Sequence, residues 1–187
     1  MVNLSDVDWD SLPVPEDDGG AAHLEGAAVA SVALPSTAGG MVDLSALSGT
    51  TVVYAYPMTG RPDTPLPDGW DGIPGARGCT PQSCAFRDHF AELQALGTGH
   101  LFGLSTQSTA YQTEAAARLH LPFALLSDAS LGFARAMRLP LFEVAGMTLM
   151  KRLTLILRDG VVVRSFYPVF PPDRSAGDVL AWLGAHP

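Results

Sequence analysis

The residues of this chain best suited to redox chemistry are its two cysteines, Cys79 and Cys84, which stand five positions apart. A cysteine reacts as the thiolate, and its oxidation gives a sulfenic acid that can condense with a second thiol to a disulfide. The pair could therefore pass two electrons to an oxidant. Buried, unreactive cysteines are also common in protein cores, so the surrounding sequence has to decide between the two interpretations.

The sequence around Cys79 has the pattern of a helix start. Thr80 is predicted to be the N-cap, because a threonine hydroxyl can accept from a free backbone N–H of the first turn, and Pro81 suits the first helical position. An apolar face with helical spacing continues to about residue 96, before Gly97, and consists of Phe86, Phe90 and Leu93. Unpaired N–H groups and the helix dipole favour an anion at such a start. A thiolate at Cys79 should therefore form more easily than in water.

A disulfide between the two cysteines does not fit an intact helix. Five residues of α-helix give about 7.5 Å of rise and about 140° of rotation, and cysteines whose Cα atoms are more than about 7 Å apart cannot be joined without backbone movement. The first turn would have to unwind for Cys79 to reach Cys84. Such a bond suits a catalytic cycle better than a permanent cross-link.

The segment Gly78–Asp88 (GCTPQSCAFRD) resembles the active-site segment of peroxiredoxins of the bacterioferritin-comigratory-protein, or peroxiredoxin Q, type. The resemblance extends from about residue 28 to residue 183. It implies a thiol peroxidase for hydrogen peroxide and organic hydroperoxides, with Cys79 as the peroxidatic and Cys84 as the resolving cysteine of an atypical 2-Cys enzyme. It also implies that a thioredoxin- or glutaredoxin-like donor reduces the resulting disulfide.

Arg152 is the third candidate site residue. It stands near the start of an otherwise apolar strand, so its guanidinium must find a partner or a cavity. In the family that this chain resembles, an arginine of the matching strand lies beside the peroxidatic sulfur and stabilises the thiolate and the oxygen that it attacks. The alternative is a structural ion pair with a carboxylate.

The sequence departs from the family pattern on the upstream side of Cys79. The family has Pro-x-x-x-Thr-x-x-Cys, and its threonine hydroxyl bonds both substrate and sulfur. This chain has Ala76 at the threonine position and Gly72 at the proline position, within a Pro- and Gly-rich insertion over 58–77. Thr59 or Thr64 could fold back to supply the hydroxyl, or the hydroxyl is absent.

The elements that must position these residues follow from hydrophobic patterning. Apolar, β-favouring runs predict an N-terminal hairpin and then buried strands, over Val29–Leu34 with Met41–Leu44, and over Thr51–Tyr56, His100–Leu104, Phe123–Leu126, Leu149–Leu157 and Val161–Tyr167. Helical spacing predicts further helices over Ala110–Leu119, Ala129–Met137 and from Pro172 onward. This order predicts an α/β fold. The resemblance specifies it as a thioredoxin-like three-layer sandwich with a mixed central sheet and an N-terminal β-hairpin.

A single domain is predicted for residues 1–187, with an acidic N-terminal extension over 1–27 and the insertion over 58–77. A chain of this length can bury a substantial core. Trp9, in the extension, is interpreted as a packing anchor. Trp70, in the insertion, is interpreted as either a surface anchor or a wall of the active-site pocket.

Composition argues against several kinds of partner. With 11 basic and 19 acidic residues the net charge is −8, which repels nucleic acid. No apolar run approaches the length of a membrane span, and the acidic N-terminus does not resemble a signal sequence, so a cytoplasmic protein is expected. The five histidines are scattered and Cys-x4-Cys is poor zinc spacing, so neither metal nor cofactor is expected. A monomer is expected from the resemblance.

Two other functions remain open for the same cysteine pair. A thiol–disulfide oxidoreductase normally uses Cys-x-x-Cys, and the four-residue gap here disfavours it. A non-enzymatic redox sensor, in which a disulfide melts the helix start and exposes a surface for a partner, is favoured by the long insertion and the missing threonine.

Overall fold

The fold is organised around a five-stranded mixed sheet in the computed structural model, which describes residues 7–187. The sheet order is β5-β4-β3-β8-β9. β3 is parallel to β4, β4 is parallel to β5, and β8 is antiparallel to both β3 and β9. Its strands are β3 (Thr50–Ala55), β4 (Thr98–Ser105), β5 (Leu125–Ser127), β8 (Leu153–Arg158) and β9 (Val161–Phe166).

Two antiparallel hairpins and five α-helices complete the described part of the chain. The hairpins are β1 (Ala33–Pro35) with β2 (Met41–Asp43), and β6 (Leu141–Val144) with β7 (Met147–Met150). The helices are α1 (Cys79–Asp88), α2 (Phe90–Ala95), α3 (Thr109–Arg118), α4 (Gly132–Ala136) and α5 (Ser175–Ala185). Short 3-10 turns occur at Trp9–Ser11, Leu44–Ala46, Trp70–Gly72 and Pro172–Arg174.

The alternation of side chains along β3 divides the core into two layers. Val52 and Tyr54 pack in one cluster with the helices α1, α2 and α5, whereas Val53 and Ala55 pack in the other with the first hairpin and α4. Successive residues of a strand point to opposite faces, so a run without polar residues produces a strand covered on both sides. The predicted three-layer, thioredoxin-like sandwich with its mixed sheet and N-terminal hairpin is confirmed.

Most predicted elements are present, with shifted ends. The first hairpin is shorter than predicted, and Asp128 caps α4 by accepting from the backbone N–H groups of Phe133 (3.1 Å) and Ala134 (2.8 Å). The acidic extension over 1–27 contributes to the core, since Ala21 and Leu24 are buried in it. Its first six residues lie outside the described part of the chain.

Three predictions of local structure were wrong. The N-cap of α1 is Gly78 and not Thr80, and the helix does not run unbroken to residue 96, because His89 separates α1 from α2. The run Leu149–Leu157 is not one strand. It divides at Lys151 and Arg152, since Met147–Met150 pairs with β6 outside the central sheet.

Candidate active site

Gly78 sets the geometry of the helix start. Its φ is +103°, in the left-handed region that glycine adopts without strain. A Cβ at this position would lie 2.7 Å from the ring of Pro172 and 2.7 Å from the ring of Trp9. Only glycine fits, and the helix therefore begins one residue later, at Cys79. The indole N–H of Trp9 donates to Asp173 at 3.0 Å, which confirms the predicted packing role of this residue.

Arg152 brings a positive charge to the Cys79 sulfur. It lies between β7 and β8 and is only 3% exposed. Its Nη2 donates to Cys79 Sγ at 3.1 Å and to the carbonyl oxygens of Ala76 and Arg77, each at 3.2 Å. Its Nη1 donates to the side-chain oxygen of Gln82. The structure thus places the two predicted residues together, at opposite ends of a stretch of 73 positions.

The buried charge of Arg152 has no carboxylate partner among residues 7–187. An uncompensated buried charge is costly. The alternative of a structural ion pair with a carboxylate is not observed in this part of the chain, and the Cys79 sulfur is a group placed to balance the guanidinium.

Three polar residues that the sequence did not single out hold this arrangement. Gln82 is fully buried in α1 and donates from Nε2 to the Ser175 hydroxyl at 3.3 Å. That hydroxyl lies 2.9 Å from the hydroxyl of Thr154 in β8. The network connects α1, β8 and α5 around the guanidinium. A polar residue within an otherwise apolar run, such as Thr154, is the sequence signal that could have found it.

Cys79 is 4% exposed and opens onto a cavity of about 20 Å³. Among the described residues that line it, Thr80 supplies the one side-chain hydroxyl, and Trp70 and Leu66 come from the insertion. Trp70 is 3% exposed, so it forms a wall of the pocket, and the surface-anchor interpretation was wrong.

Neither threonine proposed for the missing hydroxyl lines this cavity. The hydroxyl of Thr59 donates to Gln107 at 3.1 Å, and its backbone N–H donates to the same oxygen at 2.9 Å. Thr64 is exposed and its hydroxyl donates to Asp63. Thr80 is the threonine that lines the cavity beside the sulfur.

Cys84 lies in a different environment, one turn further along α1. It is half-buried, and both cysteines are free thiols. Burial raises the pKa of the Cys84 thiol, and the nearby Arg87 offsets part of this effect. Cys84 is therefore held as the protonated thiol at neutral pH. The helix is continuous from Cys79 to Asp88, so the two sulfurs stand on successive turns and are not linked.

Residues 7–187 contain no group of three or more histidine, cysteine, aspartate or glutamate side chains that could hold a metal ion. Within the same range, no helix has the length and apolar character needed to cross a membrane.

The fold and the site together define a thioredoxin-fold protein with a thiol redox centre. Residues 24–180 match the Redoxin family, and the chain belongs to that family. It is 31% identical over 161 residues to the chloroplastic peroxiredoxin Q of Oryza sativa subsp. japonica, covering 85% of this chain and 66% of the relative. The chloroplastic peroxiredoxin Q of Triticum aestivum is 32% identical over 144 residues, covering 76% and 58%.

Solved structures agree with this assignment. The peroxidoxin BcpB of Mycobacterium tuberculosis has a TM-score of 0.72 and 27% identity, over 88% of this chain and 99% of that protein. The peroxiredoxin Q of Xanthomonas campestris has a TM-score of 0.66 and 24% identity, over 94% and 97%, and shows the shared fold. The resemblance to the peroxiredoxin Q type is thus confirmed. The chain spans about two thirds, or less, of the length of the curated relatives named here.

Proposed function

We propose that this protein is a thiol peroxidase in which Cys79 is the nucleophile. The observation that carries the proposal is the buried Arg152 guanidinium, 3.1 Å from the Cys79 sulfur and without a carboxylate partner in the described chain. A preorganised positive charge stabilises the thiolate and also the oxygen on which negative charge develops during attack. The membership of the Redoxin family and the similarity to peroxiredoxin Q proteins support the same reaction.

The first step is attack of the thiolate on one oxygen of a hydroperoxide. A sulfur–oxygen bond forms while the O–O bond breaks, and the departing oxygen takes a proton from solvent and leaves as water or an alcohol. Cys79 becomes a sulfenic acid. Thr80 has the hydroxyl that can orient the peroxide, since it faces the same cavity as the sulfur.

The second step uses Cys84 of the same chain, as in an atypical 2-Cys mechanism. The Cys84 thiol displaces water from the sulfenic acid and a disulfide forms. The first turn of α1 must unwind for this step, because both cysteines occupy one intact helix. A dithiol donor of the thioredoxin or glutaredoxin type then restores both thiols and is itself oxidised. The location in the cytoplasm and the monomeric state remain predictions.

The test is consumption of hydrogen peroxide coupled to NADPH through a thioredoxin system. Wild-type protein should turn over, and Cys79→Ser should be slower by at least about a thousandfold, as expected for loss of a catalytic nucleophile. Cys84→Ser should react once and then recycle poorly unless an external thiol replaces it. Undiminished turnover in Cys79→Ser would end the proposal, and full thioredoxin-coupled turnover in Cys84→Ser would remove the resolving role.

A further inference from the structure

The insertion forms a small apolar cluster with β6 and β7, and this cluster lies beside the Cys79 cavity. Trp70, Ala76 and Leu149 are its buried residues, and Leu66 and Phe142 pack against them. The Trp70 ring centroid lies 6.4 Å from that of Phe142. Trp70 is thus supported by β6 and β7 on one side and borders the Cys79 cavity with the other.

Both ends of the insertion are tied to the body of the protein. At its beginning, Tyr111 and Arg118 of α3 donate to the carbonyl oxygens of Thr59 and Gly60, each at 3.0 Å. At its end, Arg152 donates to the carbonyl oxygens of Ala76 and Arg77. The cover over the sulfur is therefore a fixed part of the site.

The space left beside the sulfur is very small. A cavity of about 20 Å³ exceeds the roughly 10–15 Å³ that one water molecule requires, and hydrogen peroxide has only two heavy atoms. The pocket is partly open to solvent, so a carbon chain on the peroxide would have to leave it past its walls, among which Trp70, Leu66 and Met58 are large apolar side chains. We propose that the insertion restricts the site to hydrogen peroxide and that Trp70 is the residue that determines this specificity. The proposal rests on the peroxidase activity proposed above and narrows its substrate class.

The organic part of a hydroperoxide could instead bind in a second cavity. It has a volume of about 480 Å³ and is lined by apolar residues that include Ile73, Phe142 and Val169. Arg152 borders it, but Cys79 is not among the residues that line it. A hydrocarbon group held there would lie against Arg152 and not against Cys79.

The experiment compares the second-order rates of reduction of hydrogen peroxide and cumene hydroperoxide. We expect the wild type to favour hydrogen peroxide by at least about tenfold, because a misfit of even one methylene group costs about 10–200-fold in selectivity. Trp70→Ala should reduce this preference by about tenfold or more, mainly by raising the rate with cumene hydroperoxide. Trp182→Ala is the matched control, since Trp182 lies in α5 against His186 and should leave the ratio unchanged.

Several results would overturn the proposal. One is a wild type that reduces both peroxides equally well, and another is an unchanged ratio in Trp70→Ala. A third is a selective loss of cumene hydroperoxide reduction in Ile73→Trp, which fills the larger cavity and would assign the organic group to it. If Trp70→Ala does not fold, Leu66→Ala, a half-buried residue of the same cavity wall, replaces it. A wild type inactive on both peroxides contradicts the peroxidase function itself, which is a different result from an altered ratio.

Discussion

Cys79 and Cys84 belong to one helix, yet their surroundings assign them different chemistry. Cys79 is the first residue of α1, almost fully buried, with a guanidinium at 3.1 Å. Cys84 is half-buried, and burial raises the pKa of its thiol. Attack on a peroxide needs a thiolate, and the buried guanidinium lies beside the Cys79 sulfur, whereas the Cys84 thiol is needed only after a sulfenic acid has formed. In the mechanism proposed above, position along the helix assigns the attack to Cys79 and the resolving step to Cys84.

The strongest test of this difference removes the charge beside Cys79. Arg152→Met should lower the second-order rate with hydrogen peroxide by about a hundredfold or more, as for loss of one preorganised electrostatic contact. Thermal unfolding should occur at a lower temperature, because the carbonyl oxygens of Ala76 and Arg77 lose their donor, so the rates are compared well below the unfolding temperature of the variant. The measurement is stopped-flow peroxide reduction, together with alkylation of Cys79.

Arg158→Met is the matched control for this variant. Arg158 is the last residue of β8, the strand that begins directly after Arg152, and its guanidinium lies over the ring of Trp182, so the peroxide rate should remain that of the wild type. Equal rates in Arg152→Met and the wild type would show that the charge of Arg152 is not what makes the two cysteines differ in reactivity.

A subtler change gives Arg152 a competing counter-charge. In Gln82→Glu, the group that accepts from Nη1 becomes a carboxylate, which would balance the guanidinium in place of the Cys79 thiolate. Opposite charges at this range strongly favour the ionised form of the new partner. We expect alkylation of Cys79 and peroxide reduction at pH 7 to fall by about tenfold.

Gln82→Leu removes the same hydrogen bond without adding a charge, and it should lower the rate by only about threefold, because Arg152 keeps its charge and its bonds to the carbonyl oxygens of Ala76 and Arg77. If Leu and Glu at this position gave equal rates, the counter-charge argument would be wrong and only the orientation of Arg152 would matter.

The third prediction concerns the hydroxyl at the helix start. Thr80→Val removes the one hydroxyl that the described residues bring to the cavity and should lower peroxide reduction by about threefold to tenfold. Thr59→Val is its control. That hydroxyl bonds Gln107, so its loss should lower the free energy of unfolding by about 1 kcal/mol and leave the peroxide rate unchanged. A slower peroxide rate in Thr59→Val would mean that Thr59, in the insertion, supplies the hydroxyl that the family pattern places three residues before the cysteine.

Much of the architecture could be predicted because it is encoded locally. Continuous apolar runs marked β3 and β4, and the Asp159-Gly160 turn marked the β8–β9 hairpin. The pair Cys79 and Arg152 was predicted through its motif and through a charge in an apolar run. These signals need only a short stretch of sequence to be visible.

Two of the errors share a cause, which is contact between distant parts of the chain. Local capping preference favoured Thr80, but the rings of Trp9 and Pro172 require glycine at residue 78. The run Leu149–Leu157 contains neither glycine nor proline, yet it divides where the side chain of Arg152 turns to the sulfur and where β7 pairs with β6. Nothing within either segment could reveal those partners.

The last prediction measures Cys84 directly, in Cys79→Ser so that only one thiol reacts. A raised pKa means that less thiolate is present at any pH below it, so alkylation by iodoacetamide at pH 7–8 should be slower than for the same chain unfolded in urea. The rate in the folded protein should keep rising at pH values where the unfolded chain has reached its plateau, because only the folded thiol is still titrating. Mass spectrometry of the modified peptide gives both rates. A folded profile that overlays the unfolded one would mean that burial does not set the reactivity of Cys84, and the contrast between the two positions of the helix would then rest on Arg152 alone.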